Sequence, residues 1–195
     1  MEKAAETILA SGREAIRRPK MRSQIVALGI GIVLLCGCEQ KPAVVLHDLM
    51  KDVVAPQAQI AWDLANNAQD DDGKPDSSKL ADGDWAKIAE AGQKLRDAAL
   101  SLTQAGRITV AAPGQKIQDE ENAGASTVAQ VQGFINADMP AFAAFATPLA
   151  ANADQFVSAS KSHDAAKLAE ASGSLDQVCE SCHVKTWYRQ QSGAK

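Results

Sequence analysis

The chain has 195 residues, of which 46% are hydrophobic, 23% charged and only 4% aromatic, a length that suits one compact domain with a targeting segment. The ordinary charged fraction excludes a chain that is disordered throughout. The chain has a formal charge of -4 and a pI near 5.4, so it lacks the basic character of a nucleic-acid-binding protein. No apolar run reaches the roughly 18 residues that a membrane-spanning helix needs.

The N-terminal region has the pattern of a secretory signal peptide. A short apolar run at residues 25–36 follows a basic cluster of Arg17, Arg18, Lys20 and Arg22. This arrangement favours a signal peptide over the alternative, a buried core helix. The run ends in Leu-Cys-Gly-Cys, which resembles the cleavage box of bacterial lipoproteins and implies that Cys38 is acylated on its sulfur.

These features divide the chain into three parts. Residues 1–37 are predicted to be a cleaved lipoprotein signal peptide, with Met21 as an alternative initiator to Met1. Residues 38–42 form a short tether, and residues 43–195 form the folded domain. The lipid predicts a membrane-anchored protein that faces the periplasm, since two or three acyl chains give stable anchoring. Without the lipid, the protein would be soluble in the periplasm.

Four apolar stripes predict four long helices, and no segment shows the alternation of a strand. The first stripe is interrupted at Pro56, which predicts a kink or irregular turn near residues 53–55. Asp82 or Asp84 is expected to cap the second helix, Asp138 the third and Ser162 the fourth, with a short helix capped by Ser126 or Thr127. Pro148 is expected to kink the third helix. The stripes comprise Leu46, Met50, Val53, Ile60 and Leu64; Trp85, Ile88, Gly92, Leu95, Ala99 and Leu102; Phe142, Phe145, Leu149, Ala153 and Phe156; and Leu168, Leu175, Val178 and Cys182. They predict an all-α fold, an antiparallel four-helix bundle.

The fourth helix carries the sequence Cys179-Glu180-Ser181-Cys182-His183, the C-x-x-C-H signal for covalent attachment of c-type haem. Two cysteines three residues apart lie on nearly one face of a helix, so both can reach the two vinyl groups of one porphyrin. A zinc site would need a second ligand pair, which His47 and His163 do not form. A thioredoxin-like motif would follow a strand, and a disulfide at this spacing strains a helix and leaves His183 without a role.

A haem motif on the last of four helices resembles the cytochrome c′ family, including its low-spin relatives with a methionine ligand. The resemblance covers residues 43–190. It implies an antiparallel four-helix bundle with one covalent haem c, thioethers at Cys179 and Cys182, and His183 as proximal ligand. It also implies transfer of electrons or binding of diatomic gases, and it allows an antiparallel homodimer.

The sixth ligand of the iron decides between these two activities. The resemblance places Met50 at the distal position, where a thioether would give a low-spin electron carrier; the alternative is that Met50 only packs in the core. The family has Tyr or Phe three residues after the haem histidine and Arg four residues after it. Thr186 and Trp187 stand there instead, which favours electron transfer over nitric oxide or carbon monoxide binding.

The sequence also suggests locations for several other residues. We expect His47 at the surface or beside the haem propionates, His163 in solvent and Met139 in the core. Trp187 is expected at the haem edge, in the core or at an interface. Arg107, Lys185 and Arg189 are candidates to pair with propionates.

The sequence therefore predicts a periplasm-facing monohaem c-type cytochrome that carries single electrons and is not an enzyme. Its partners would be redox proteins of a respiratory chain, reached from a lipid anchor in the membrane. Two alternatives remain at this point. One is a five-coordinate protein that binds nitric oxide or carbon monoxide, and the other is an interaction subunit that docks through the acidic residues 70–72.

Overall fold

A computed structural model of the chain describes residues 41–188. The predicted signal peptide, the lipidation site Cys38 and the propionate candidate Arg189 lie outside these residues. The described part is mostly helical, which confirms the all-α prediction. Within it, no helix is both long and apolar enough to cross a membrane.

The elements follow one another along the chain with mostly short connections. Two three-residue strands are β1 (Ala43–Val45) and β2 (Arg107–Thr109). The first helical segment contains α1 (Leu46–Leu49), a π-helix (Met50–Val54) and α2 (Ala55–Asn67). A 3₁₀ turn (Ser77–Lys79) precedes α3 (Asp82–Gln104). The remaining helices are α4 (Val128–Ala137), α5 (Met139–Ala144), α6 (Ala146–Ser162) and α7 (Ala165–Thr186).

The predicted irregularity before Pro56 is present as the π-helix Met50–Val54. Pro56 has no N–H to donate to the carbonyl of Asp52, so the regular α-helical ladder is interrupted there. The wide turn also shifts the buried face, and the first predicted stripe is wrong at Ile60, which is 36% exposed. Val53 is half-buried and packs against a smaller core cluster, and the face is completed by Val54, Ala58, Ala61 and Ala65.

Polar side chains accept hydrogen bonds from the free N–H groups at several helix N-termini. Thr127 and Asp138 cap α4 and α5 as predicted. Asp82 and Asp84 do not occupy the N-cap of α3, because Ala81 does, and the Asp84 carboxylate accepts from the Ala81 N–H at 3.3 Å. Ser162 ends α6 instead of capping α7. Asp164 caps α7, accepting from the N–H groups of Ala166 and Lys167.

The third predicted helix is divided at Phe145 into α5 and α6. Pro148 has no N–H for the carbonyl of Ala144, so a break one turn before the proline has a direct cause. The four longest helices pack side by side: α2 contacts α3, α3 contacts α6, α6 contacts α7, and α7 contacts α2. Their buried side chains form the main core.

A parallel strand pair was not predicted, and it positions the first helical segment. Val44 of β1 is paired with Ile108 of β2, and the His47 N–H donates to the Val110 carbonyl at 2.8 Å. Three-residue strands are too short to show a period-two pattern in sequence. Together these bonds hold the start of α1 beside the end of α3.

Gly92 lies at a close approach of α3 to α6. A Cβ at this position would lie 2.9 Å from the carbonyl oxygen of Ala153 and 2.9 Å from a methyl group of Val157. We expect Gly92→Ala to lower the free energy of unfolding, because overpacking costs about 1–3 kcal/mol and outweighs the roughly 1 kcal/mol gained in helix propensity. Thermal and urea unfolding would measure the change.

Gly173 provides the matched control, since it lies in α7 with nothing within 4 Å of an added Cβ. Gly173→Ala is expected to raise the free energy of unfolding by up to about 1 kcal/mol. Equal effects of the two substitutions would contradict the close approach of α3 and α6.

Candidate functional site

The three residues of the C-x-x-C-H motif line one cleft near the C-terminal end of α7. Cys179 and Cys182 are half-buried free thiols, and His183 is half-buried beside them. Because residues three and four apart lie on one face of an α-helix, the motif presents two sulfurs and an imidazole to the same space. The motif lies inside a 22-residue helix, not after a strand as in a thioredoxin-like protein.

The inner part of this space, which we call the apolar cleft, is closed by hydrophobic side chains from four other segments. Met50 belongs to the π-helix, while the other side chains come from α1, the π-helix, α3 and the α5–α6 region. They are Leu46, Val54, Leu102, Phe142, Phe145, Ala146 and Leu149. Such a lining excludes water and is typical of a site for a mostly apolar ligand.

The outer part, which we call the rim cleft, has a mixed polar and apolar lining. It shares Met50, Val54, Cys179, His183 and Trp187 with the apolar cleft. Met50 and His183 thus come from separate helical segments and lie where the two clefts meet. The polar side chains of the rim cleft are His47, Lys51, Gln59, Trp62, Gln118 and Tyr188.

Burial shifts the pKa of both motif cysteines and of His183 toward the neutral form. Desolvation raises the pKa of the Cys179 thiol, with a smaller contribution from the negative charge of Asp176. Desolvation also raises the pKa of Cys182, against a weaker opposing hydrogen bond with Thr186. Reactive redox cysteines have a lowered pKa, so these thiols do not resemble a thioredoxin-like pair.

Burial and two aromatic rings define the surroundings of the His183 imidazole. Burial lowers the pKa of His183, which favours the neutral form that ligates metals. The ring centroids of Trp187 and Tyr188 lie 6.2 and 6.3 Å from the centroid of the imidazole, in edge-to-face arrangements. Their backbone N–H groups both donate to the His183 carbonyl, at 2.7 and 2.9 Å. These two bonds hold the backbone at the end of α7, which keeps Trp187 and Tyr188 beside the imidazole.

The other predicted residues divide between the clefts and the rest of the molecule. Trp187 lines both clefts, whereas Met139 packs against the main core. His47 has a side chain only 21% exposed, so it is not a simple surface residue. His163 is exposed, but its ring stacks on Trp85 with centroids 5.2 Å apart. Arg107 and Lys185 are exposed and line neither cleft.

The residues present fit a covalently attached haem. The cleft offers two thiols, a neutral imidazole, a thioether and an apolar lining for the porphyrin faces. Trp62 adds an observation of its own: its indole N–H is buried without a hydrogen-bond partner among the described residues. A group with an oxygen acceptor in the rim cleft would supply that partner.

A metal site made of protein ligands alone has less support. Between residues 41 and 188, no group of three or more His, Cys, Asp or Glu side chains is placed to hold a metal ion. A tetrahedral zinc site at the cysteine pair would therefore need ligands from outside this part of the chain.

Sequence reasoning named many residues of the apolar cleft as stripe positions but missed polar residues of the rim cleft. Trp62 and Gln118 lie off the predicted stripes, and only the tertiary packing brings them to His183. The chain matches no protein-family model, no curated protein and no solved structure. The function therefore has to be inferred from the geometry of the clefts.

Proposed function

We propose that this protein is a monohaem c-type cytochrome that carries single electrons. Cys179 and Cys182 form the thioethers, His183 is the proximal ligand and Met50 is the sixth ligand. The observation that carries the proposal is the shared cleft, which brings both sulfurs and the imidazole of the motif together with Met50 from another helical segment.

The packing of α2, α3, α6 and α7 supports an antiparallel four-helix bundle with haem on its last helix. When bound, the haem supplies reversible one-electron chemistry at its iron. The chain's own residues would position and shield it. His183 would offer its imidazole and Met50 its thioether, and the side chains of the apolar cleft would exclude water from the bound group.

We also propose that the protein is anchored by acylated Cys38 and faces the periplasm. C-type haem is attached in the exported compartment, so a secretory signal and a haem motif in one chain support each other. From such an anchor the haem would exchange electrons with redox proteins of a respiratory chain.

The visible spectrum of the purified protein tests electron transfer against gas binding. We expect sharp α and β bands in the reduced state and no change when carbon monoxide is added, because a six-coordinate iron has no free position. A broad high-spin spectrum that shifts with carbon monoxide would instead support the five-coordinate alternative.

Removal of the Met50 thioether tests the assignment of the sixth ligand. We expect Met50→Ala to abolish the near-infrared charge-transfer band of thioether-ligated ferric haem, because alanine has no ligand atom. Met139→Ala is the matched control, since Met139 is a part-buried methionine of α5 that packs against the core but lines neither cleft. If Met50→Ala keeps the band, Met50 serves only for packing.

A further inference from the structure

A second ligand-bearing side chain lies close to Met50. His47 lines the rim cleft together with Met50 and His183, and its side chain is largely buried. We infer that His47 is an alternative sixth ligand, which binds the haem iron when Met50 does not. This inference rests on the proposed haem site and adds a second ligand to it.

The neighbouring carboxylate prepares His47 for this role. His47 Nδ1 lies 2.9 Å from Asp48 Oδ1. A carboxylate oxygen accepts hydrogen bonds, so this contact favours the tautomer with its N–H at Nδ1, in which Nε2 is the nitrogen that can ligate a metal. Metal-ligating histidines almost always donate their other N–H to a carboxylate, carbonyl or water, because this contact fixes the tautomer and raises the basicity of the ligand.

The position of His47 on the helix allows the exchange. Three residues of an α-helix rise about 4.5 Å and end about 60° apart around the axis, so His47 and Met50 occupy adjacent turns on neighbouring faces. The π-helix begins at Met50 itself, and π-helical turns occur mostly as single wide turns inside α-helices, frequently at functional sites. The four-residue α1 has no side-chain cap. The His47 N–H is bound to the Val110 carbonyl, so the backbone of α1 stays in place and the exchange would need only reorientation of the His47 and Met50 side chains.

The exchange has a chemical consequence for the haem. A thioether is a soft ligand, and imidazole is a common ligand of iron. A methionine ligand raises the reduction potential of the haem. Binding of His47 would therefore lower the potential. It would also keep the iron six-coordinate, so that loss of Met50 alone does not open the site to gases.

Three haem-loaded variants of the full chain test the inference: Met50→Ala, His47→Ala and the double variant. We expect Met50→Ala to remain low-spin, without the thioether band, and to bind no carbon monoxide. The double variant is expected to become high-spin and to bind carbon monoxide. His47→Ala alone is expected to keep the thioether band, because Met50 remains.

Matched controls separate His47 from other ligands. The chain has three histidines, so Met50→Ala/His163→Ala should stay low-spin, as His163 stacks on Trp85 outside the clefts. His47→Gln in the Met50→Ala background is a polar second variant, and far-ultraviolet circular dichroism checks the fold of each. The inference is overturned if Met50→Ala is already high-spin, or if the double variant stays low-spin through another ligand such as Lys51.

Failure of this inference is distinguishable from failure of the proposed function. Haem staining after denaturing electrophoresis reports covalent attachment, whatever the sixth ligand is. A parent protein without stain contradicts the haem proposal itself. A stained parent whose Met50→Ala variant binds carbon monoxide contradicts only the role of His47.

Discussion

Replacing both Cys179 and Cys182 by serine is expected to abolish covalent haem completely. A serine hydroxyl does not form the thioether that joins a cysteine sulfur to a haem vinyl group. The measurement is haem staining after denaturing electrophoresis, together with the intact mass, of protein exported in a host that matures c-type cytochromes. The single variants are expected to retain at most one attachment each.

Ser181→Ala is the matched control for this prediction. Ser181 lies between the two cysteines, is exposed, and donates its hydroxyl to the Val178 carbonyl at 2.8 Å within the same helix. Its removal leaves both sulfurs and His183 in place, so full attachment is expected. Covalent haem in the double serine variant, or none in the parent, would show that the motif does not attach haem.

Replacing Cys38 by serine is expected to transfer the protein from the membrane fraction to the soluble periplasmic fraction. Each buried methylene of an acyl chain contributes about 0.8 kcal/mol, so loss of two or three chains removes nearly all of the membrane affinity. Cell fractionation followed by immunoblotting measures the distribution, and haem staining of each fraction shows whether the haem domain is still made.

Cys36→Ser serves as the control for the lipid anchor, because residue 36 belongs to the predicted signal peptide and leaves with it. The Cys36→Ser protein is expected to stay in the membrane fraction. A Cys38→Ser protein that also stays there would refute acylation as the main tether.

The helices were the most predictable part of the fold. Thr127 and Asp138 cap helices as expected, and all six residues of the second stripe, from Trp85 to Leu102, are buried. These features depend on neighbours three or four residues away, which sequence periodicity reports directly. Pro56 likewise predicted an irregular turn because the lack of its N–H is a local property.

Errors arose where tertiary contacts or small residues decide the outcome. Ile60 was assigned to the core, but Ala58 and Ala61 are buried there instead, because the π-helix changes the phase of the face. Alanine gives a weak hydrophobic signal, although it allows helices to approach closely. The β1–β2 pair joins residues more than 60 positions apart, a pairing that no local pattern reports.

The sequence by itself determined which groups the motif places together on one helix, the thiols of Cys179 and Cys182 and the imidazole of His183, and this spacing predicts haem attachment. Only the tertiary structure decided what meets that motif. Met50, His47 and Trp62 reach the rim cleft beside His183 because the first helical segment packs beside α7. The physical reason is the difference between local and long-range interactions. The repeat of the backbone fixes how residues of one helix are placed relative to each other, whereas the packing of the whole core decides which side chain of another helix faces them.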